Sequence, residues 1–254
     1  MGIRVAVAGA TGKLGSVAAR LVEEHDDLEL AAALDSTTPW RAMEGAQVLF
    51  DATLPAVSPR LVEAALAAGL DVVVATSGWS AERLAGLEAR LPAGRRVIVV
   101  PNFSLGSVLA TEFAARAALF YESVEIVETH RAGKVDSPSG TAVRTAELIA
   151  AARAGLGPTE APHADQRARG QQVAGVPVHS LRMAGVVARQ DVYFGGPGER
   201  LTITHDTADS RAYEAGILLA LRSLHRLTGL TVGLASLLAS SPGEAGGGRA
   251  GGAA

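Results

Sequence analysis

The chain contains no cysteine, so it can form neither a disulfide nor a thiolate metal site. It has no long apolar run: stretches such as residues 72–75 have the length of a strand, not of a membrane span. Neither sign of charge dominates. A formal net charge of −3 over 254 residues gives no basic footprint for nucleic acid, and no nucleic-acid or membrane partner is expected. No charged and then apolar leader precedes residues 3–7, so a signal peptide is not expected and the expected location is cytoplasmic. Lysine is almost missing. Lys13 and Lys134 are the only two among 23 basic residues.

What is present suffices for a large core. At 48% hydrophobic content the chain can build one large domain or two modest ones. Through the first hundred residues strand and helix patterns alternate. Strands are predicted at residues 3–7, 28–34, 48–52, 72–76 and 96–100, and helices at 13–24, 61–68 and 81–91. Such alternation predicts a Rossmann-type α/β fold, a doubly wound parallel sheet with helices on both faces. Beyond Asn102 the pattern changes. A helix is predicted at 108–119, a strand at 124–129 and a helix at 141–154, followed by three successive strands at 178–183, 191–194 and 201–205. Consecutive strands predict a mixed or antiparallel sheet, hence a second domain of α+β type. Residues 155–175 read as a long loop, and 213–227 as a helix. Residues 240–254, rich in Gly, Ala and Ser, read as a disordered tail.

Gly9-Ala10-Thr11-Gly12-Lys13-Leu14-Gly15 lies between the first strand and the first helix. Glycines there permit a tight turn and close approach of the backbone to a pyrophosphate, and a helix N-terminus offers unpaired N–H groups. Asp35 ends the second strand twenty residues after Gly15, a spacing suited to the ribose hydroxyls of a dinucleotide. Ser36-Thr37-Thr38 follows it, with no Arg to meet a 2′-phosphate. The cofactor is expected to be NADH or NADPH, and Asp35 favours NADH.

The second lysine stands in Glu128-Thr129-His130-Arg131-Ala132-Gly133-Lys134-Val135-Asp136-Ser137-Pro138-Ser139-Gly140-Thr141-Ala142. Arg is a poor proton donor near neutral pH, whereas Lys and His can exchange protons there. In a chain that otherwise uses Arg, a Lys four residues after a His suggests a proton-transfer site at His130 and Lys134. Pro138-Ser139-Gly140-Thr141 reads as a helix start, with Ser139 as cap and Gly140 and Thr141 offering donors to an anion.

This segment resembles the signature of the dihydrodipicolinate reductase family, Glu-x-His-His-x-x-Lys-x-Asp-x-Pro-Ser-Gly-Thr-Ala, with Arg131 in place of the second His. The resemblance runs from about residue 3 to 238 and is nearest to the family's actinobacterial branch. It implies a nicotinamide-dependent reductase of a cyclic unsaturated dicarboxylate in the diaminopimelate–lysine pathway, assembled as a homotetramer. It implies acid–base roles for His130 and Lys134, and substrate binding by Arg131, Ser139, Gly140 and Thr141. Ala75-Thr76-Ser77 and Val100-Pro101-Asn102-Phe103 match the family's further cofactor-contacting loops, beside Gly9 to Leu14 and Asp35. It also implies that the last part of the chain returns to the first domain, giving residues 1–103 with 209–239 as one domain and 104–208 as the other. His179, Arg182 and His205 fall in strands and are expected to be structural or oligomer contacts; two strand histidines without a third ligand predict no metal site. Two alternatives keep part of this: a relative acting on another cyclic imine or unsaturated acid, and a non-catalytic nucleotide-binding protein.

Overall fold

The computed structural model describes residues 2–239; the predicted tail at 240–254 lies outside them. A six-stranded parallel sheet is built from β1 (Ile3–Ala8), β2 (Leu28–Leu34), β3 (Val48–Asp51), β4 (Asp71–Val74), β5 (Arg96–Val99) and β11 (Gly229–Val232). Its order is β11-β5-β4-β3-β1-β2. The strand order reverses at β1, which has β2 on one side and β3 on the other, and open α/β sheets bind ligands outside the carboxyl ends at such a point.

Alternate residues of these strands enter two separate cores. Val5, Val7, Phe50, Val73 and Ile98 pack with α1 (Lys13–Glu24) and α6 (Glu214–Ser223). Ala6, Leu49, Val72, Val74 and Val97 pack with α2 (Ser58–Ala67) and α3 (Ala81–Arg90). Strands covered on both faces explain why these segments read as continuous apolar runs. α2 begins three residues before the predicted position because Ser58 and Pro59 supply its first turn.

The second sheet has the order β10-β9-β6-β8-β7. It consists of β6 (Ser123–Arg131), β7 (Gln171–Val173), β8 (Val176–Met183), β9 (Ala188–Gly196) and β10 (Glu199–Thr207). β6 and β8 are parallel and the other pairs antiparallel, so the sheet is mixed, as expected. α4 (Leu105–Ala117) and α5 (Gly140–Ala152) cover one face, with Ala114, Ala142, Ala146 and Ile149 against Val124, Ile126, Val178, Val192 and Phe194.

Several predicted boundaries move. α4 starts at Leu105 because the Ser104 side chain caps it, accepting from the Ser107 N–H. The segment predicted as one long loop carries a 3₁₀ turn, Arg167–Arg169, and the edge strand β7. Residues 213–227 are two 3₁₀ turns flanking α6 rather than a single helix. β11 pairs in parallel with β5, and the short α7 (Ala235–Ala239) follows it.

Candidate active site

Both sheets open on one cleft of about 670 Å³. The first sheet's side of it is lined by Lys13, Leu14, Ala75, Val100, Pro101, Asn102 and Phe103, and the second sheet's side by His130, Arg131, Lys134, Ser139 and Thr141. The two predicted clusters, a hundred residues apart in sequence, therefore face a common space. Gly9 to Gly12, Asp35, Thr76 and Ser77 are not in the lining; they stand at the carboxyl ends of β1, β2 and β4. Gly140 is the exposed first residue of α5.

The glycine loop is shaped by contacts that a side chain would destroy. Gly9 has φ +76°, and a Cβ on it would strike the Ala52 carbonyl oxygen; one on Gly15 would strike the carbonyl oxygen of Gly9. α1 therefore sits directly on the loop. Gly12 is its N-cap and offers no side-chain bond, so the first-turn N–H groups carry the helix's partial positive charge unmasked. Asp35 is organised for a diol. Its Oδ1 accepts the backbone N–H and hydroxyl of both Thr37 and Thr38 at 2.8–2.9 Å. Those hydrogen bonds, Thr37's first, hold its carboxyl down to about 2. Asp51, fully buried at the end of β3, gathers the neighbouring loops by accepting from Thr53, Ser58 and Thr76.

On the other side, His130 and Arg131 are the last two residues of β6, which runs two residues past its predicted end. Alternation puts Glu128 and His130 on one face and turns Arg131 away; Arg131 borders the cleft as an exposed residue. His130 Nδ1 lies 2.6 Å from Glu128 Oε2. Burial pushes the imidazole below its ordinary value, and the Lys134 and Arg182 charges act the same way, against the opposing pull of Glu128. Lys134 follows a turn closed by its own N–H to the Arg131 carbonyl at 3.0 Å, and its ammonium donates to both oxygens of Asp136 at 2.7 and 2.8 Å. Ser139 caps α5 as predicted, accepting from the Ala142 N–H at 3.2 Å. The sides also touch directly: Asn102 Nδ2 donates to Ser107 Oγ at 2.9 Å and to Thr141 Oγ1 at 3.4 Å.

Four further residues belong to this site. Arg182, expected to be a structural or oligomer contact, makes a two-pronged contact with Glu128, Nη1 to Oε2 at 2.8 Å and Nη2 to Oε1 at 2.9 Å. Its partner Glu128 stood in the motif without a role. His205 lines the cleft, with Nε2 3.0 Å from the Ser104 hydroxyl, and burial lowers its pKa. Gln190 also lines the cleft and donates to Thr145 Oγ1 at 3.0 Å. His179 is bound to Glu125 at 2.7 Å and is not in the lining. Among the described residues no group of three or more His, Asp or Glu could hold a metal ion, and no helix is long and apolar enough to cross a membrane.

A dinucleotide loop and a cationic acid–base cluster facing one cleft are the arrangement of a nicotinamide-dependent reductase of an anionic substrate. Residues 3–103 match the family described as "Dihydrodipicolinate reductase, N-terminus", and residues 106–238 match "Dihydrodipicolinate reductase, C-terminus"; the chain belongs to the dihydrodipicolinate reductase family. It is 59% identical over 236 residues to the 4-hydroxy-tetrahydrodipicolinate reductase of Clavibacter sepedonicus, covering 92% of this chain and 85% of that protein. It is 47% identical over 244 residues to the enzyme of the same name from Streptomyces griseus, covering 93% and 98%. Among solved structures it resembles a dipicolinate-bound dihydrodipicolinate reductase from Paenisporosarcina sp. TG-14, with TM-score 0.79, 30% identity and coverage of 93% and 99%. An amine dehydrogenase from Mycobacterium smegmatis, at TM-score 0.60 and 10% identity over 90% of this chain and 94% of that one, shares the fold alone.

Proposed function

We propose that this protein reduces 4-hydroxy-tetrahydrodipicolinate to tetrahydrodipicolinate with NADH or NADPH, the reductive step of the diaminopimelate–lysine pathway. One observation carries the reading: the uncapped N-terminus of α1 and the His130–Lys134 cluster open on the same cleft. The residues fit the cofactor. Gly9 and Gly15 let the loop pack closely against α1 and the residues after β3, which leaves the α1 N–H groups to meet a pyrophosphate, Lys13 adds a positive charge, and Asp35 keeps Oδ2 open for a ribose hydroxyl. Asp35 stays ionised throughout the physiological range, which repels a 2′-phosphate and supports a preference for NADH. Ala75, Thr76, Ser77 and the loop Val100 to Phe103 complete the cofactor's surroundings in this reading.

When bound, the dihydronicotinamide supplies a hydride. Replacing the ring hydroxyl by hydrogen then needs one proton and releases one water. His130 delivers that proton: its Nδ1 is held by Glu128, and its ring borders the cleft. Lys134, held by Asp136, supplies the cation beside it, and Thr141, Gly140 and Ser139 at the start of α5 bind a carboxylate. Arg131, which makes no ion pair among the described residues, offers a second guanidinium to the dicarboxylate.

We extend the proposal to residues 1–103 with 209–239 as the nucleotide domain and 104–208 as the substrate domain, supported by the β11–β5 pairing. A homotetramer fits the exposed apolar residues Leu181, Met183 and Tyr193 on the sheet face away from α4 and α5, and light scattering of the purified protein tests it. A cytoplasmic location goes with a reaction that consumes reduced nicotinamide nucleotide. The test of function supplies freshly generated 4-hydroxy-tetrahydrodipicolinate and follows NAD(P)H consumption. Turnover supports the reading; a folded, cofactor-binding protein without turnover overturns it. Rescue of a diaminopimelate auxotroph excludes the reading in which Arg131 redirects the site to another cyclic imine.

A further inference from the structure

Glu128 has no exposed surface and lies behind the cleft residues His130 and Ser139. A carboxylate there must be fully satisfied. It accepts from His130 Nδ1 and Arg182 Nη1 on one oxygen, and from Arg182 Nη2 and the Ser139 N–H, at 3.1 Å, on the other. The arrangement follows from the sheet. Glu128 and His130 share a face of β6, and the parallel register with β8 sets Arg182 opposite His130. Arg182 also donates to the Asp136 carbonyl at 2.6 Å, and Asp136 in turn grips Lys134. One ion pair thus touches the proton donor, the N-cap of α5 and the arm that carries Lys134.

We infer that Glu128 and Arg182 are a positioning pair which fixes His130 as its Nδ1–H tautomer and presents Nε2 to the substrate. An ionised carboxylate can only accept, so the proton between it and a neutral imidazole belongs to Nδ1. Burial acts to raise the Glu128 carboxyl, but the hydrogen bonds from Arg182, Ser180 and His130 outweigh it and keep it below its ordinary value, hence ionised. Nε2 has no protein partner among the described residues and is left to give or take the catalytic proton. The inference rests on His130 being the proton donor, but its first test does not depend on turnover.

That test is nitrogen NMR of the full chain with labelled histidine, the His130 signals being assigned by their loss in His130→Asn. Above its pKa, His130 should carry its proton on Nδ1. An Nε2–H tautomer, or an even mixture, overturns the inference even if the enzyme is active. An inactive protein with an Nδ1–H His130 overturns the proposed reaction and leaves the positioning pair standing. The second test is Glu128→Gln. An amide can donate to Nδ1 as well as accept, so the tautomer should shift toward Nε2–H. The kcat should then fall about 10²-fold, the lower end of the range for losing a general acid, with NADH affinity unchanged. The groups facing His130 are Glu128 on its own strand, Arg182 on β8 and Lys134 after the turn; Arg189 on β9 is taken up by Asp191. Of these only Glu128 favours the imidazolium, so the fall of kcat with rising pH should begin at lower pH in Glu128→Gln. A variant that folds, loses activity and keeps both tautomer and pH profile marks Glu128 as structural only and overturns the inference. If Glu128→Gln does not fold, the wild-type tautomer alone decides.

Discussion

His130→Asn isolates one nitrogen of the proposed catalytic centre. An Asn amide can occupy much the same position as imidazole Nδ1, so the substitution keeps a donor for Glu128 and deletes Nε2. The His130 side chain is only 16% exposed, so water does not readily take its place. Losing a positioned general acid costs about 10²–10⁴ in rate, or about 3–5 kcal/mol of barrier, and that loss should fall on kcat. NADH binding should be untouched, because the glycine loop and Asp35 lie on the other sheet. The pH dependence is the sharper signature. The imidazolium is the acid, and burial holds its pKa below the ordinary value near 6.5, so kcat/KM should decline as pH rises through that lowered value. A dicarboxylate in the cleft favours the charged ring, so the corresponding limb of kcat should lie at higher pH. Steady-state rates of NADH consumption from pH 5.5 to 9 measure both limbs. His130→Asn should lose both. A variant that retains turnover within about threefold, or keeps the declining limb, would refute the assignment of the proton to His130.

Lys134 should behave as a cation rather than as the proton source: Lys134→Met should lose about 10–100-fold in kcat/KM, as expected for one hydrogen bond to a charged group, and Lys134→Arg less than about tenfold. Steady-state rates check this, and an arginine variant as damaged as His130→Asn would move the proton to Lys134. Asp35→Ala should weaken NADH binding by about tenfold or more and NADPH binding less, read from fluorescence titrations of both nucleotides; an unchanged NADH/NADPH ratio would remove Asp35 from cofactor selection. Burial depresses His130 and His205, so below about pH 6.5 protonation favours the unfolded chain, and the stability present above that pH is lost as pH falls toward the folded-state values. Thermal melts should therefore show a lower Tm at pH 5.5 than at pH 7.5, and a flat or rising Tm on acidification would contradict the buried-histidine reading.

The first sheet was legible because its strands are covered on both faces. Residues 5–8, 48–50 and 72–74 are continuous apolar runs for that reason, and the helices between them show a single apolar face. The start of α1 was readable to the residue, since a glycine N-cap follows a strand and opens an amphipathic repeat. β7 and β11 were not predicted from pattern. β7 has three residues, mostly exposed, at a sheet edge. β11 carries only intermediate or exposed residues and exists by pairing with β5 more than a hundred residues earlier, which no local window contains.

The site divides along the same line. Residues that shape the backbone next to them, Gly9, Gly12, Gly15 and the Ser139 cap, announce themselves by local chemistry that few other residues can supply. Residues that act through a side chain across the sheet do not. Ending β6 at Thr129 placed His130 in a loop, where its neighbours could be anything. Extending the strand by two residues makes Glu128 and His130 cofacial, and a buried Glu on a strand then demands a cation from the neighbouring strand. Arg182, in a segment already read as a strand, was the available cation. Its identification required the β6–β8 register, which sets His130 opposite Arg182 and is fixed by the packing of Val178 and Ile126 under α5. The cofactor half of the site is thus written in consecutive residues. The proton-transfer half is written in a pairing between strands, and it was the buried charge of Glu128 that could have led to it.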